Sequence, residues 1–425
     1  MAYETIKRCR ICGKGEFNSI LHLGTQALTG VFPRSPEEKI EAGPVELIKC
    51  DESTGGCGLV QLRQSYSPDA MYGENYGYRS GLNASMVRHL QRRVKEACNI
   101  AQPQPGDVIL DIGSNDSTTL RAYRPGNLKL VGMDPTGRKF AQFYPEHIKL
   151  IPDYFNAETF TRHLAGAKAR IVTSIAMFYD LESPQGFMDE VHRILDDEGI
   201  WIFEQSYLPS MLDTNGYDTI CHEHLSYYAL QQIKWMTDRA GFKILDVEVN
   251  DVNGGSFCVT VAKDSSSYTA DVDAVECLLA KEEEIGINTL DPFEAFRDRV
   301  LLHREQLRSF CDEAASRGET VYGYGASTKG NVLLQFCDIT RESIPAIAEI
   351  NSDKFGAFTP HTLIPICSEA EVRSLQPDYL LVLPWHFRRG IVERETAYLA
   401  RGGKLVFPLP HVDVETYAET LCYAA

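Results

Sequence analysis

Hydrophobic and polar positions divide the chain into three stretches. Up to about residue 70 the pattern is short-ranged, rich in Cys, Gly and turn residues. From 71 to 263, apolar runs at 107–112, 128–133, 169–175 and 199–204 are short enough for buried strands. They alternate with amphipathic stretches such as 183–195. A charged helical stretch follows over 277–285 and 292–316. The alternation then returns, with a strand at 320–324, a glycine turn, a helix, and strands near 344–350, 379–383 and 404–407. Strands that alternate with helices build parallel sheets covered by helices. The pattern predicts an α/β chain in three parts: a small domain over 1–70, an α/β domain over 71–263 and a second Rossmann-like unit over 264–425. No solenoid-length repeat and no low-complexity tract interrupts it.

Composition narrows the class. The 425 residues are 44% hydrophobic and 24% charged, which excludes disorder, collagen and coiled coil as the main architecture. Lys and Arg number 42 against 59 Asp and Glu, a net charge of -17. Such a chain offers no footprint for a nucleic-acid backbone or an anionic membrane surface, so neither is expected as a partner. The first residues hold no apolar signal core, and no apolar run approaches the ~18 residues of a membrane span. The expectation is a soluble cytoplasmic enzyme whose twelve cysteines stay reduced.

Four of those cysteines cluster. Cys9 and Cys12 form a CxxCG knuckle, and Cys50 and Cys57 lie about 40 residues on. Two thiolates at i and i+3 on a tight turn face one way, and a second pair completes a tetrahedral site for structural Zn²⁺. The six-residue spacing of the second pair departs from the usual two. The alternative is four free thiols in a small core.

Candidate chemistry gathers at two glycine turns and one histidine segment. In the first turn a strand ends at Asp111, followed by Ile112, Gly113, Ser114, Asn115 and Asp116. Glycine lets the backbone pass close to a ligand lying at the strand's carboxyl edge and the helix N-terminus. With one glycine of the GxG pattern, a dinucleotide fingerprint fits poorly. The form instead resembles motif I of S-adenosylmethionine-dependent methyltransferases, in which the strand-end acid lies near the methionine amine. A second strand ends at Asp134-Pro135, placed for ribose hydroxyls, and Asp153 ends a third, where it would cap the adenine amine. The segment 217–228 packs His222, Glu223 and His224 beside several tyrosines. It reads as a metal site lacking an obvious third ligand, as core with costly polar groups, or as acid–base chemistry suited to removing a proton next to a carbonyl. The second turn, Gly323 to Asn331, reads as a diphosphate cradle helped by Lys329, or as a structural Rossmann turn. Trp385 could stack on a base or pack, and His386 could touch substrate or solvent. The tyrosine-rich segment 72–79, with Tyr76 and Tyr78, reads as a lid over an alkylating donor or as packing between domains.

Taken in order, the cysteine knuckle, the 76–80 segment, the first turn, His222-Glu223-His224, Asn253-Gly254-Gly255-Ser256, the second turn and Pro384-Trp385 resemble the deoxysugar carbon-3 C-methyltransferase family over nearly the whole chain. The resemblance implies a zinc-binding N-terminal domain, a central S-adenosylmethionine methyltransferase domain and a C-terminal Rossmann-like domain, with a nucleotide-diphosphate sugar between the last two. It implies structural Zn²⁺ at Cys9, Cys12, Cys50 and Cys57. The donor would lie on Tyr76, Tyr78, Asp111, Gly113, Ser114, Asn115, Asp134, Pro135 and Asp153. His224 would be the base that forms a 4-keto-stabilised enolate, with Glu223 and His222 beside it. Substrate would meet Cys221, Tyr227, Asn253, Lys329, Asn331, Asn351, Lys354, Trp385 and His386. A monomer is implied. The chain differs from the pattern at Cys221, where the family commonly has Tyr, at Asn253, where it often has His, and at 177–180, which lacks a His. Ser117 stands where Gly is frequent. These changes keep two alternatives open: methylation of O or N on a nucleotide sugar, or a ketosugar epimerase or tautomerase using the same His-Glu pair.

Overall fold

The computed structural model describes residues 3–67, 71, 78–124 and 126–418. Near the N-terminus, β1 (Tyr3–Thr5) pairs with β5 (Gln64–Tyr66), while β2 (Phe17–Ala27), β3 (Ala42–Cys50) and β4 (Val60–Leu62) form an antiparallel sheet. The cysteine knuckle and the Cys50–Cys57 loop lie at one end of it.

The central sheet has seven strands: β6 (Val108–Ile112), β7 (Lys129–Met133), β8 (Ile148–Ile151), β9 (Ala169–Ile175), β10 (Leu195–Ser206), and two later strands, β12 (Phe242–Asn250) and β13 (Ser256–Lys263). Their spatial order is 12-13-10-9-6-7-8. Strands β6 to β10 run parallel, and β13 and β12 close one edge as an antiparallel pair. All five residues of β6 are buried, as a parallel strand covered on both faces requires. Helix Pro184–Ile194 covers one face through Phe187, Met188, Val191 and Ile194, and helix Ala84–Ala101 covers the other.

The third sheet, in order 16-15-14-17-18-19, comprises β14 (Val321–Tyr324), β15 (Ile347–Glu349), β16 (Ile366–Ser368), β17 (Tyr379–Val382), β18 (Lys404–Phe407) and an antiparallel edge strand, β19 (Asp413–Glu415). The predicted runs at 169–175 and 404–407 match their strands to the residue. The antiparallel additions β12, β13 and β19 were not legible as such. Helix Val272–Ile285 buries Val275 and Leu278 in the central core, whereas helix Asp291–Ser316 packs with the third unit. The sequence boundary at 264 therefore precedes a helix that stays with the central sheet.

One short strand joins the units. β11 (Ser226–Tyr227), immediately after the His-Glu-His segment, pairs with β4 of the N-terminal sheet at Gln61 and Val60. The same N-terminal domain reaches the third unit, where Gln335 bonds both backbone groups of Ala27 and Phe358 N–H donates to Pro33 O. Among the described residues no helix is long and apolar enough to cross a membrane.

Candidate active site

The carboxyl ends of β6, β7, β9 and β10 open on a cavity of about 320 Å³. Asp111, Gly113, Ser114, Asn115, Asp134, Pro135 and Tyr78 all line it. Gly113 has φ +73°, and a Cβ there would meet Met177 Cγ at 3.2 Å, so the turn needs glycine on two counts. Asp134 accepts the Asn115 N–H at 2.7 Å and the Thr136 N–H at 2.6 Å, which fixes the turn's curvature. Asn115 in turn holds the segment after the tyrosine run, accepting from Ser80 N–H and donating to Tyr78 O. Asp116 does the same for Gly81 N–H and Arg79. Burial pushes the Asp111 carboxyl up to about 7, against a hydrogen bond from the Thr173 hydroxyl at 2.5 Å. Asp153 is exposed, its carboxylate taken by the Tyr154 N–H, and Tyr154 and Phe155 line the cavity in its stead. Tyr76 lies outside the described residues.

The cavity also shows a residue that sequence reading passed over. Gln205, one residue before the end of β10, is 1% exposed, lines the cavity, and has no partner for either amide atom among the described residues. A buried, unpaired amide costs about 1–3 kcal/mol, so its bonding capacity faces whatever fills the space. Its neighbour Glu204 is already committed, to His89 at 2.5 Å and Arg93 at 2.9 Å.

The His-Glu-His segment sits where the three units meet. His224 Nδ1 lies 2.7 Å from Thr219 O, which fixes the tautomer with the proton on Nδ1 and the lone pair on Nε2. Burial drives this imidazole down to about 4, with the Lys329 charge acting the same way. Tyr179, a cavity-lining residue, presents its ring to His224 with centroids 4.3 Å apart. Burial pushes Glu223 up to about 7, and Gly30 of the N-terminal domain passes so near its carboxylate that a Cβ there would clash. Cys221 Sγ is 3.9 Å from Glu223 Oε2, and Tyr227 OH donates to Thr219 O. His222 does not join them. Its ring is buried edge-on against Tyr66 of β5, 4.6 Å between centroids, because the turn sends alternate side chains to opposite sides. The expectation that His222 acts beside His224 is corrected accordingly.

The C-terminal residues separate into two groups. Lys329 donates to Asn253 O at 2.7 Å, Trp385 packs on Gly254, and His386 adjoins the same turn. Trp385 Nε1 donates to buried Asp218, whose other oxygen has no hydrogen-bond partner among the described residues. Burial raises the Asp218 carboxyl, against the nearby Lys329 charge, and lowers the His224 and His386 imidazoles, which the same charge lowers further. The second group serves the fold. Asn331 donates to Thr29 O, Asn351 caps a short helical turn, and Lys354 donates to Ala326 O and lies over the Phe32 ring. Each of these bonds occupies one polar atom of its side chain, and Asn331 Oδ1 has no hydrogen-bond partner among the described residues.

At the other end, one sulfur from each of Cys9, Cys12, Cys50 and Cys57 lies within 4.8 Å of the rest. Sγ separations of 3.5 Å for Cys9–Cys57 and Cys12–Cys50 suit a shared tetrahedral cation. The wide 50–57 spacing is absorbed by the turn at 52–54, and Gly56 lets the backbone pass Cys50 Sγ.

A cavity at the carboxyl edge of a largely parallel sheet, with an acid at the end of each of its first two strands, suits a nucleoside-bearing ligand such as S-adenosylmethionine. Three family models match in chain order: "Putative zinc binding domain" over 9–72, "Methyltransferase domain" over 83–247 and "C-methyltransferase C-terminal domain" over 251–410. The protein is thus a methyltransferase, and its 251–410 stretch is similar to the C-terminal domain of C-methyltransferases. It is 29% identical to C-methyltransferase NovU of Streptomyces niveus over 98% of both chains. Solved structures similar to it include an S-adenosylmethionine-dependent methyltransferase from Clostridium acetobutylicum (12% identity, 42% of this chain and 92% of that one, TM-score 0.33). An O-methyltransferase family protein from Burkholderia thailandensis is another (15%, 48% and 64%, TM-score 0.34).

Proposed function

We propose that the chain methylates carbon 3 of a nucleotide-linked 4-keto-6-deoxysugar, with His224 as the base. The observation that carries this reading is the His224 imidazole: neutral through burial, pinned at Nδ1 by Thr219 O, and set beside the cavity wall through Tyr179. Asp111, Asp134, Gly113 and the 113–117 backbone fit the donor, which supplies an electrophilic methyl group. His224 Nε2 takes the carbon-3 proton, the adjacent carbonyl holds the resulting electron pair as an enolate, and carbon 3 then forms the new C–C bond as the donor's sulfur–methyl bond breaks and its electron pair stays on sulfur. A carbon nucleophile needs that carbonyl, because an ordinary sugar C–H is far too weak an acid. Gln205, Asn253 and Lys329 supply polar groups for the sugar and its diphosphate, and Trp385 a surface for the base. The model matched over 251–410 favours carbon as the acceptor atom.

The test is to incubate the protein in D₂O with nucleotide-linked 4-keto-6-deoxysugars, with and without the donor, and to weigh and fragment the sugars. A donor-dependent methylene gain on carbon 3 is expected, falling about 10²–10⁴-fold in His224→Gln while donor affinity holds. Methyl on oxygen or nitrogen, or deuterium uptake without methyl transfer, overturns the proposal.

A further inference from the structure

Cys221, Glu223 and His224 meet in a way that acid–base chemistry does not use. A thiol sulfur, a carboxylate oxygen and a ring nitrogen, one from each, lie within 4.8 Å of one another. Three atoms that close share a point within about 2.8 Å of all of them, against ~2.0–2.3 Å for zinc bonded to nitrogen, oxygen or sulfur. Side-chain movements of under an ångström close the difference. The Nδ1 contact with Thr219 O is the kind of outer support that metal-ligating histidines carry, and it leaves Nε2 for the cation. Thiolate, imidazole and carboxylate are also a ligand set that soft divalent cations favour, and the His-Glu-His spelling conceals it because His222 points away.

We infer that Cys221, Glu223 and His224 form a second, open site for a soft divalent cation of the zinc class, separate from the four-cysteine site. Ligation forms bonds from Cys221 Sγ, Glu223 carboxylate and His224 Nε2 to the metal and releases the thiol proton to solvent. A bound cation holds the Nε2 lone pair and so reversibly blocks proton abstraction. That inhibitory half rests on the His224 reading above, but the binding does not.

The experiment counts zinc per chain after dialysis of the full-length protein against buffered micromolar Zn²⁺. Two equivalents are expected in the wild type and one in Cys221→Ser, with the second restored in Cys221→His. Unchanged thermal melting and the retained four-cysteine zinc show that the variants are folded. Co²⁺ added to protein that holds only the four-cysteine zinc gives a thiolate-to-cobalt absorbance that Cys221→Ser lacks, and Glu223→Gln weakens binding at least tenfold. A wild type that saturates at one equivalent, or a Cys221→Ser variant that keeps two, overturns the inference. Methyl transfer is measured separately in a weak chelator that spares the four-cysteine zinc. A wild type that saturates at one equivalent in Zn²⁺ yet methylates in the chelator sinks only the metal site; two equivalents in Zn²⁺ without ketosugar methylation in the chelator sink only the proposed function.

Discussion

The two glycine turns begin alike and end differently. Each follows a buried parallel strand, opens a helix, and is tied to an acid from the next strand: Asn115 N–H to Asp134 at 2.7 Å, Ala326 N–H to Glu349 at 2.8 Å. The difference lies two residues before the turn glycine. The first turn has Asp111 there, buried and facing the cavity, whereas the second has Gly323, packed so tightly on Ile347 that a Cβ would clash. The second turn then spends its polar groups on itself. Ser327 caps Gly330 N–H, Glu349 takes the backbone N–H groups of Ala326, Ile350 and Asn351, and Lys354 takes Ala326 O. A glycine turn thus marks where a backbone must pass closely, and the groups left unpaired around it decide whether a ligand can bind.

The comparison can be broken at several points. Asp111 has the largest expected effect. Its carboxyl titrates near 7 in the folded chain against 3.8 ordinarily, so between those values the folded state keeps a proton the unfolded state has lost. The stability that Asp111 contributes to the ligand-free protein should fall by about 2–4 kcal/mol from pH 4 to 7, so the difference between wild-type and Asp111→Asn unfolding curves should show that slope. Next comes Asp134→Ala, which frees the Asn115 and Thr136 N–H groups; calorimetry should show donor affinity about 10- to 100-fold weaker. The matching change in the second turn, Glu349→Gln, should cost about 1–2 kcal/mol of stability and leave donor affinity within twofold. A donor defect there would mean the two turns are functionally linked. The smallest effect is expected for Lys329→Met, whose ammonium is partly engaged by Asn253 O, with acceptor KM rising less than tenfold at unchanged donor affinity. A rise of a hundredfold or more would make Lys329 the main holder of the diphosphate.

Much of the candidate donor site was legible because it is local. Asp111 and Gly113 belong to one strand and turn, and Asp134 ends the adjacent strand, so a parallel sheet brings them together without long-range information. The cysteine pairs were legible from residue type, although their 40-residue separation is bridged by β2 and β3. The histidine segment was legible only in part. Its letters suggested three groups acting together, yet the chain turns within them, and β11 pairing with β4 sends His222 to Tyr66 while His224 faces Tyr179. Gln205 gave no signal because an amide beside Glu204 looks like any strand end until its lack of partners is visible.

By itself the sequence determined the three-part α/β order, the four zinc-type cysteines and the acids of the donor turn, since strand periodicity, ligand chemistry and turn geometry act over a few residues. Tertiary structure alone decided which polar groups remain free. Asn331 Nδ2, Asn351 Oδ1 and Lys354 Nζ are each taken by a backbone contact, while His224 is held neutral and aimed by the carbonyl of Thr219. Burial and hydrogen-bond partners set both outcomes, and they depend on which segments the folded chain packs together.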